Sequence, residues 1–519
     1  MSLLVVLTVS PEASADEGII LRQCAKLAGY SPGDIAALRI IKKSVDARQK
    51  SIKVNLTVEV IKHGEDSLTM VQPFQPVDVS LAREVIIIGA GPAGLFAALR
   101  LTELGLRPVI IERGKLVQAR KIDIARIGRE QIINTESNYC FGEGGAGTYS
   151  DGKLFSRSRK RGDNRRVLEL FCYHGANPEI LYEAHPHIGS DKLPSIISGI
   201  RESIVNAGGV FITEKKITDI IIEGQAVKGV VDSDNGKYLS SDIILATGHS
   251  ARDIYDICRR RNITYTFKPF AAGVRVEHPQ ELIDRIRYHG STRGNFLPAA
   301  SYSLVCQADG KGVFSFCMCP GGFIIPSATS QEEVVVNGMS PSARNSPYAN
   351  SGIVCEISPD YLKAFSGYGE TAGLEFQKDL EHKAWEQGGC TQRAPAQRLT
   401  DFIAGKMSGS LPGVSYFPGV TPSPMHSWLP GTMVKRLREG FMHFGTVMKG
   451  FVTDQAVILG VESRTSSPVR ILRNDKKLEH ISIAGLYPCG EGSGYSGGIV
   501  SSAVDGMRVA EAIARKYAS

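Results

Sequence analysis

"REVIIIGAGPAGLFAALRLTELGLRPVIIERG", residues 83–114, is the stretch that decides the fold. "VIII" is a short unbroken apolar run, the pattern of a strand buried on both faces. "LFAALRLTELG" follows with Leu95, Ala98, Leu99 and Leu101 as the apolar residues of a helix, and "PVIIERG" is the next strand. Between strand and helix lies Gly89-x-Gly91-x-x-Gly94, here "GAGPAG" with Ala90, Pro92 and Ala93 in the variable places. Gly89 permits the tight turn, Gly91 lets the backbone approach a pyrophosphate, and Gly94 lets the helix pack closely on the strand. The helix N-terminus turns unpaired N–H groups and a positive dipole end toward phosphate. Glu112, at the end of the second strand, is placed to accept hydrogen bonds from an adenosine ribose. Strand, turn, helix, strand and acid agree on a βαβ dinucleotide site.

The same glycine spacing occurs twice more. "GEGGAGTYSDGK", residues 142–153, has no apolar strand before it and no apolar helix stripe after it. It is expected to be a flexible backbone loop that lies against a flat ring or a phosphate through its N–H groups. "GEGSGYSGG", residues 490–498, does sit between a strand ("SIAGLYPC") and a helix ("SSAVDGMRVAEAIARKYA"), but no second βαβ strand follows it. It is therefore expected to join the first sheet and aim its helix at the same ligand. Glu491 is placed there to hold a ribityl hydroxyl.

That return to a sheet begun four hundred residues upstream favours FAD over NAD. A helix N-terminus stabilises the negative charge that gathers on a reduced flavin. "IILATGHS" adds a strand ending in Ala246, Thr247 and Gly248, a turn of the kind that passes beneath a bound dinucleotide. The predicted class is α/β: a Rossmann-like FAD-binding domain at residues 81–264 and 441–519, an inserted α+β domain at 265–440, and a small N-terminal α/β domain at 1–80. Within the last, residues 52–60 alternate as a strand does, and "MVQPFQPVD" reads as a linker.

The 519 residues are 42% apolar and 22% charged, with a net charge of +7, which suits ordinary cores and permits anionic ligands without requiring nucleic acid. Ten cysteines occur with no Cys-x-x-Cys, a pattern of reduced, cytoplasmic proteins. No apolar run reaches the roughly 18 residues of a membrane span. "LLVVLTV" near the N-terminus reads as a first strand rather than a signal segment, since no basic flank precedes it.

Eight motifs in order, "GAGPAGLFAA", "GTYSDGKLFSRSRKRGD", "HPHIGSDKLP", "LATGHSARDIYD", "KPFAAGVRVEHPQ", "SFCMCPGG", "NGMS" and "CGEGSGYSGGIVSSAVDG", resemble the uncharacterised FAD-dependent (NAD(FAD)-utilising) dehydrogenases. The resemblance implies a glutathione-reductase-type FAD fold with an inserted second domain, and no particular substrate. By it, FAD contacts fall on Gly89, Ala90, Gly91, Pro92, Ala93, Gly94, Glu112 and Arg113. Gly144, Gly145, Gly147 and Thr148 follow, then Ala246, Thr247 and Gly248. Gly490, Glu491, Gly497, Gly498 and Ile499 complete the set. Arg113 either stacks on adenine or is a solvated turn residue.

The expected chemistry is hydride transfer between flavin and a small organic substrate, with NAD(P)H as a transient reductant. Lys153, just after the second glycine loop, is the first catalytic candidate: a lysine there stabilises a reduced flavin or holds a substrate carboxylate. Arg275 is the second, for substrate binding. Cys317 and Cys319 form a Cys-x-Cys, either a redox pair or two buried strand residues on one face. His185 and His187, with only Asp191 near, lack a metal-ligand set, and no metal is expected. "RSRKRGDNRR", residues 157–166, reads as a solvated loop, an anion site or a nucleic-acid patch. With "RIIKKSVDARQKSIK" it supports one alternative, a flavoprotein acting on RNA. A non-catalytic FAD-binding protein is the other.

Overall fold

The computed structural model describes residues 3–65, 71–155, 162–290 and 292–518. Six sheets occur among the described residues, and the three expected domains are each built on one of them. The first is a five-stranded sheet, in the order Leu486–Pro488, Ile243–Leu245, Glu84–Ile88, Arg107–Ile111, Val210–Ile212. All four pairings are parallel. The C-terminal strand thus joins the sheet begun by the fingerprint, as its glycine turn predicted. Parallel strands are buried on both faces, and Ile86, Ile87, Ile110, Ile243, Ile244 and Leu245 are all fully buried.

The helices Pro92–Glu103 and Ile499–Ala518 lie against each other on one face of this sheet. Their contact is close because Gly506 has no side chain: a β-carbon there would lie 2.0 Å from the carbonyl oxygen of Ala93. Both helix N-termini consequently point to the same end of the sheet, beyond the C-terminal ends of its strands, where doubly wound folds bind ligands.

The inserted domain is built on a seven-stranded sheet, in the order Val305–Ala308, Lys311–Cys319, Tyr348–Ile357, Phe270–Pro279, Val457–Glu462, Ala394–Arg398, Val420–Pro422. The helix Gly431–Val447 packs on it through Met433, Leu437, Phe441 and Phe444. The expected boundary at residue 440 therefore needs correcting. Val457–Glu462 lies in the interior of this sheet, between Phe270–Pro279 and Ala394–Arg398. The chain returns to the first domain only after it, where Val469–Ile471 pairs with Tyr265–Phe267. A buried apolar run such as "AVILGVE" has the same pattern in either sheet, so sequence alone could not assign it.

The N-terminal unit is an antiparallel sheet, Leu3–Val9, Lys53–Lys62 and Ile35–Asp46, covered by the helix Glu17–Ala28. Ile35–Asp46 is a strand that the sequence reading recorded only as a basic segment. Lys43 pairs along the backbone with Tyr182 and Ala184 of the FAD domain. Ala47 and Ile52 pack on the inserted domain's core. The unit therefore touches both other domains. Residues 71–80 run along the FAD domain, with Phe74 in its core and Val77 and Val79 donating to Thr102 and Ala207.

Candidate functional site

Gly89 sits at φ 101°, in the left-handed region, and a β-carbon there would lie 2.5 Å from the Ala246 carbonyl oxygen. Gly94 is tighter still: its β-carbon would lie 2.0 Å from the Gly89 carbonyl oxygen. These two glycines shape the turn, while Gly91 caps the helix with open space before it. The second glycine stretch closes over the first. Gly144 donates to the Ala90 carbonyl at 2.9 Å, and a β-carbon on Gly145 would lie 3.0 Å from the Gly91 Cα.

Glu112 joins the two loops. Its carboxylate accepts from the amides of Ala90 (2.8 Å), Gly114 (2.9 Å) and Gly142 (2.9 Å). A carboxylate accepts about four hydrogen bonds, which leaves one for a ligand hydroxyl. Arg113 is not a solvated turn residue: it lines the cleft with its side chain largely buried. It makes a two-pronged ion pair with Asp253 at 3.0 Å, bonds Glu136 at 2.8 Å, and lies over the Phe141 ring.

The glycine loop predicted to be flexible is instead pinned from behind by Arg120. This fully buried guanidinium donates to the carbonyls of Asn138 (2.7 Å), Glu143 (2.8 Å), Tyr139 (2.9 Å) and Gly145 (2.9 Å). Arg120 was missed because a basic residue in "VQARKIDIARIGRE" reads as solvent-facing; only its four backbone partners, distant along the chain, show otherwise. Thr148 and Gly144 face inward as well, Thr148 bonding the Glu143 carbonyl at 2.9 Å. Gly145, Ala146, Gly147 and Ser150 form the outer wall.

Together these elements line one cleft of about 1360 Å³, its open mouth included. Its floor carries Gly89, Gly91, Pro92, Ala93, Glu112, Arg113, Ala246, Thr247 and Gly248, and Glu491, Gly498 and Ile499 flank it. Gly490 and Gly497 stand outside this lining. Gly490 donates to the carboxylate of Asp505 at 2.8 Å, and Gly497 borders a second, adjoining cleft. Asp505 is itself held by a buried ion pair to Arg473, at 2.6 Å. His249, 3.6 Å from Glu491, is a lining residue the sequence reading did not select.

The inserted domain supplies the opposite wall, with Phe316, Cys317, Asn337, Arg464 and Thr465. Its position is set by a charge cluster across the domain boundary. Glu381 is fully buried, and burial pushes its carboxyl up, yet Arg252 and Arg464 outweigh this and hold it down to about 2. Arg252 belongs to the FAD domain and binds Glu381 at 2.7 Å and Glu333 at 3.0 Å.

Lys153 and the cysteines come together. The Lys153 ammonium donates to Cys317 Sγ at 3.5 Å and Cys319 Sγ at 3.6 Å, and lies 3.7 Å from buried Asp151. Burial disfavours its charge, but Cys317, Cys319 and Asp151 outweigh this and raise its pKa. Arg275 is placed otherwise than expected. It is fully buried, paired to Glu462 at 2.7 Å, and bonded to Asn350 at 2.8 Å and to the Cys317 carbonyl at 2.6 Å. No substrate can reach it; it braces the cysteine turn.

Cys317 is drawn toward the thiolate by the Cys319 thiol beside it, then, against burial, by Lys153 and Arg275; Cys319 is held as the thiol. Because the reactive form exists above a lowered pKa, alkylation of Cys317 by iodoacetamide should stay fast well below the ~8.5 midpoint of a free thiol. Lys153→Met should move that midpoint up by about one unit or more. Equal midpoints near that of a free thiol in both proteins would contradict the assignment.

Of the remaining expectations, His187 bonds the Ser342 carbonyl at 3.1 Å, and Asp191 accepts from the Ser342 amide at 2.6 Å. Among the described residues no cluster of metal-ligating side chains occurs. Arg157, Arg159, Lys160 and Arg161 lie outside the described residues. Arg165 and Arg166 bind Glu169 and Glu103, at 2.9 and 2.7 Å. Lys43 pairs with Glu183 at 3.3 Å and Arg48 with Asp46 at 2.6 Å. No helix among the described residues is long and apolar enough to cross a membrane.

Residues 269–465 match the family described as FAD-dependent protein, C-terminal domain-like, and residues 83–264 match pyridine nucleotide-disulphide oxidoreductase. Residues 1–61 match a domain of unknown function. An uncharacterized protein of Clostridium beijerinckii is 38% identical over 524 residues, covering 97% of both chains.

The chain belongs to this FAD-dependent oxidoreductase family.

Solved structures it is similar to include CtdE in complex with FAD, at 11% identity and a TM-score of 0.31, covering 83% of this chain and 84% of that one. Another is a glycine oxidase from Bacillus cereus, at 12% identity and a TM-score of 0.30, covering 83% and 97%. The site fits the family's cofactor. Gly91, Gly248 and Gly498 present backbone to the cleft that no neighbouring atom crowds, leaving room there for a ligand to approach the main chain.

Proposed function

We propose that the protein transfers a hydride between the flavin and a small organic substrate enclosed between the FAD domain and the inserted domain. The observation that carries this reading is the two-sided cleft. Its floor is glycine backbone and two helix N-termini, and its roof comes from the inserted domain. Domain interfaces of this kind are where enclosed substrate pockets form.

Gly89, Ala90, Gly91, Pro92, Ala93 and Gly94 would hold the pyrophosphate, and Glu112 would use its remaining acceptor position for the ribose. Ala246, Thr247 and Gly248 would pass beneath the dinucleotide. Glu491, Gly498 and Ile499 would face the isoalloxazine end, where the dipole of the helix Ile499–Ala518 favours negative charge. The flavin, when bound, supplies the two-electron chemistry. The chain's own residues bind and orient it, exclude water with Phe316 and Thr465, and keep Lys153 protonated.

NAD(P)H is the proposed reductant. The described residues hold a single five-stranded parallel sheet, so the nicotinamide would enter the same interdomain space. Anaerobic titration of the FAD-loaded protein with NADPH, then NADH, is expected to bleach the flavin absorbance. A flavin that stays oxidised under both would remove the nicotinamide and leave the substrate as the reductant. Failure to take up FAD at all would remove the reading of every glycine stretch.

A further inference from the structure

We propose that Cys317 and Cys319 form a reversible dithiol–disulfide couple that exchanges two electrons with the flavin; the flavin half rests on the function proposed above. In a regular strand, side chains at i and i+2 stand about 7 Å apart along the chain, at the limit of the 4.4–6.8 Å Cα span of a disulfide. Here the strand is not regular. The register with Tyr348–Ile357 slips between Phe316 and Cys319, and Cys317 takes φ 45°, in the left-handed region. A non-glycine residue held there is strained, and such strain gathers at functional sites.

The bulge turns both sulfurs onto one ammonium, that of Lys153, at 3.5 and 3.6 Å. Cys319 Sγ also lies 3.3 Å from the Cys317 carbonyl, so the second sulfur folds back over the first residue. Arg275 fixes the bulge by donating to that same carbonyl and approaches Cys319 Sγ at 3.8 Å.

The two cysteines are placed differently. Cys317 is half-buried and lines the flavin cleft, while Cys319 is fully buried behind it. This is the arrangement of an exchanging sulfur and a resolving sulfur. The charges facing them are Lys153 and Asp151 from one segment, Arg275 and Glu462 from the inserted sheet, and Arg344 and His187 beside Asp151. Two cations, Lys153 and Arg275, reach the sulfurs directly.

In the oxidising direction, the Cys317 thiolate and the Cys319 thiol lose two electrons and one proton and gain an S–S bond. Both electrons and the proton pass to the oxidised isoalloxazine ring. The reverse returns a thiolate and a thiol. The pair gives the protein a second two-electron store beside the flavin.

The test is the number of electrons taken up. Air-oxidised, FAD-loaded protein is titrated anaerobically with dithionite, and the disulfide is mapped by mass spectrometry before and after. The wild type is expected to take four electrons per flavin and to lose a Cys317–Cys319 disulfide. Cys317→Ser and Cys319→Ser should each take two, and Cys390→Ser, which alters an exposed thiol elsewhere, should still take four. A wild type that takes only two, with its flavin spectrum intact, would overturn the couple while leaving the cofactor in place. Protein that binds no flavin would instead overturn the cofactor assignment. The disulfide map of that protein then decides the pair alone: a Cys317–Cys319 disulfide supports it, and none overturns it.

Discussion

Gly94→Ala is expected to give folded but flavin-free protein. The added β-carbon would start 2.0 Å from the Gly89 carbonyl oxygen and 3.2 Å from the Ile87 side chain. Neither neighbour is a flexible end, so the helix Pro92–Glu103 must move off the strand. Overpacking of this kind costs about 1–3 kcal/mol, and the helix N-terminus that faces the phosphates moves with it. Gly91→Ala separates the two effects. Its β-carbon would meet nothing closer than the Gly145 Cα at 4.0 Å, so stability should hold while the cradle is filled and FAD is lost. Both are read by flavin absorbance per protein and by thermal unfolding of the apo-proteins. Stoichiometric FAD in either variant would contradict the cradle assigned to these glycines.

Arg120→Leu is expected to be the most destabilising single change in the FAD domain. The wild-type guanidinium serves four buried carbonyls at once. Leucine stops short of all four carbonyls and donates nothing, so each carbonyl forfeits a partner at roughly 1–3 kcal/mol apiece. The losses are not additive, and a total of about 3–5 kcal/mol is expected, with release of the 142–147 loop from Gly91. Arg120→Lys should fall between, since an ammonium lacks the planar fork that reaches four acceptors. Flavin fluorescence on heating should show FAD released well below the wild-type transition. Release at an unchanged temperature would mean that the loop does not depend on Arg120.

The cysteine pair shows where residue type and residue place part company. "CMC" states only that two thiols lie two residues apart. That they stand together on one ammonium depends on a bulge, on a left-handed Cys317, and on a lysine brought from residue 153, 164 residues upstream of Cys317. Lys153 itself was legible as a candidate because it follows a glycine loop. Arg275 was legible only as a charge, and its burial against Glu462 turned an expected substrate contact into a brace.

What the sequence by itself determined was local. Apolar runs, a glycine turn and a terminal acid are properties of about thirty consecutive residues, and backbone sterics and burial act on them directly, so the βαβ unit and the return of the C-terminal strand were readable. What only the tertiary structure decided was every partner distant along the chain. These include Arg120 behind the glycine loop, Glu381 between Arg252 and Arg464, Val457–Glu462 inside the inserted sheet, and two thiols on one ammonium. A charged side chain is solvated by default, and the sequence carries no mark of the few that are buried, because the groups that make burial tolerable come from elsewhere in the fold.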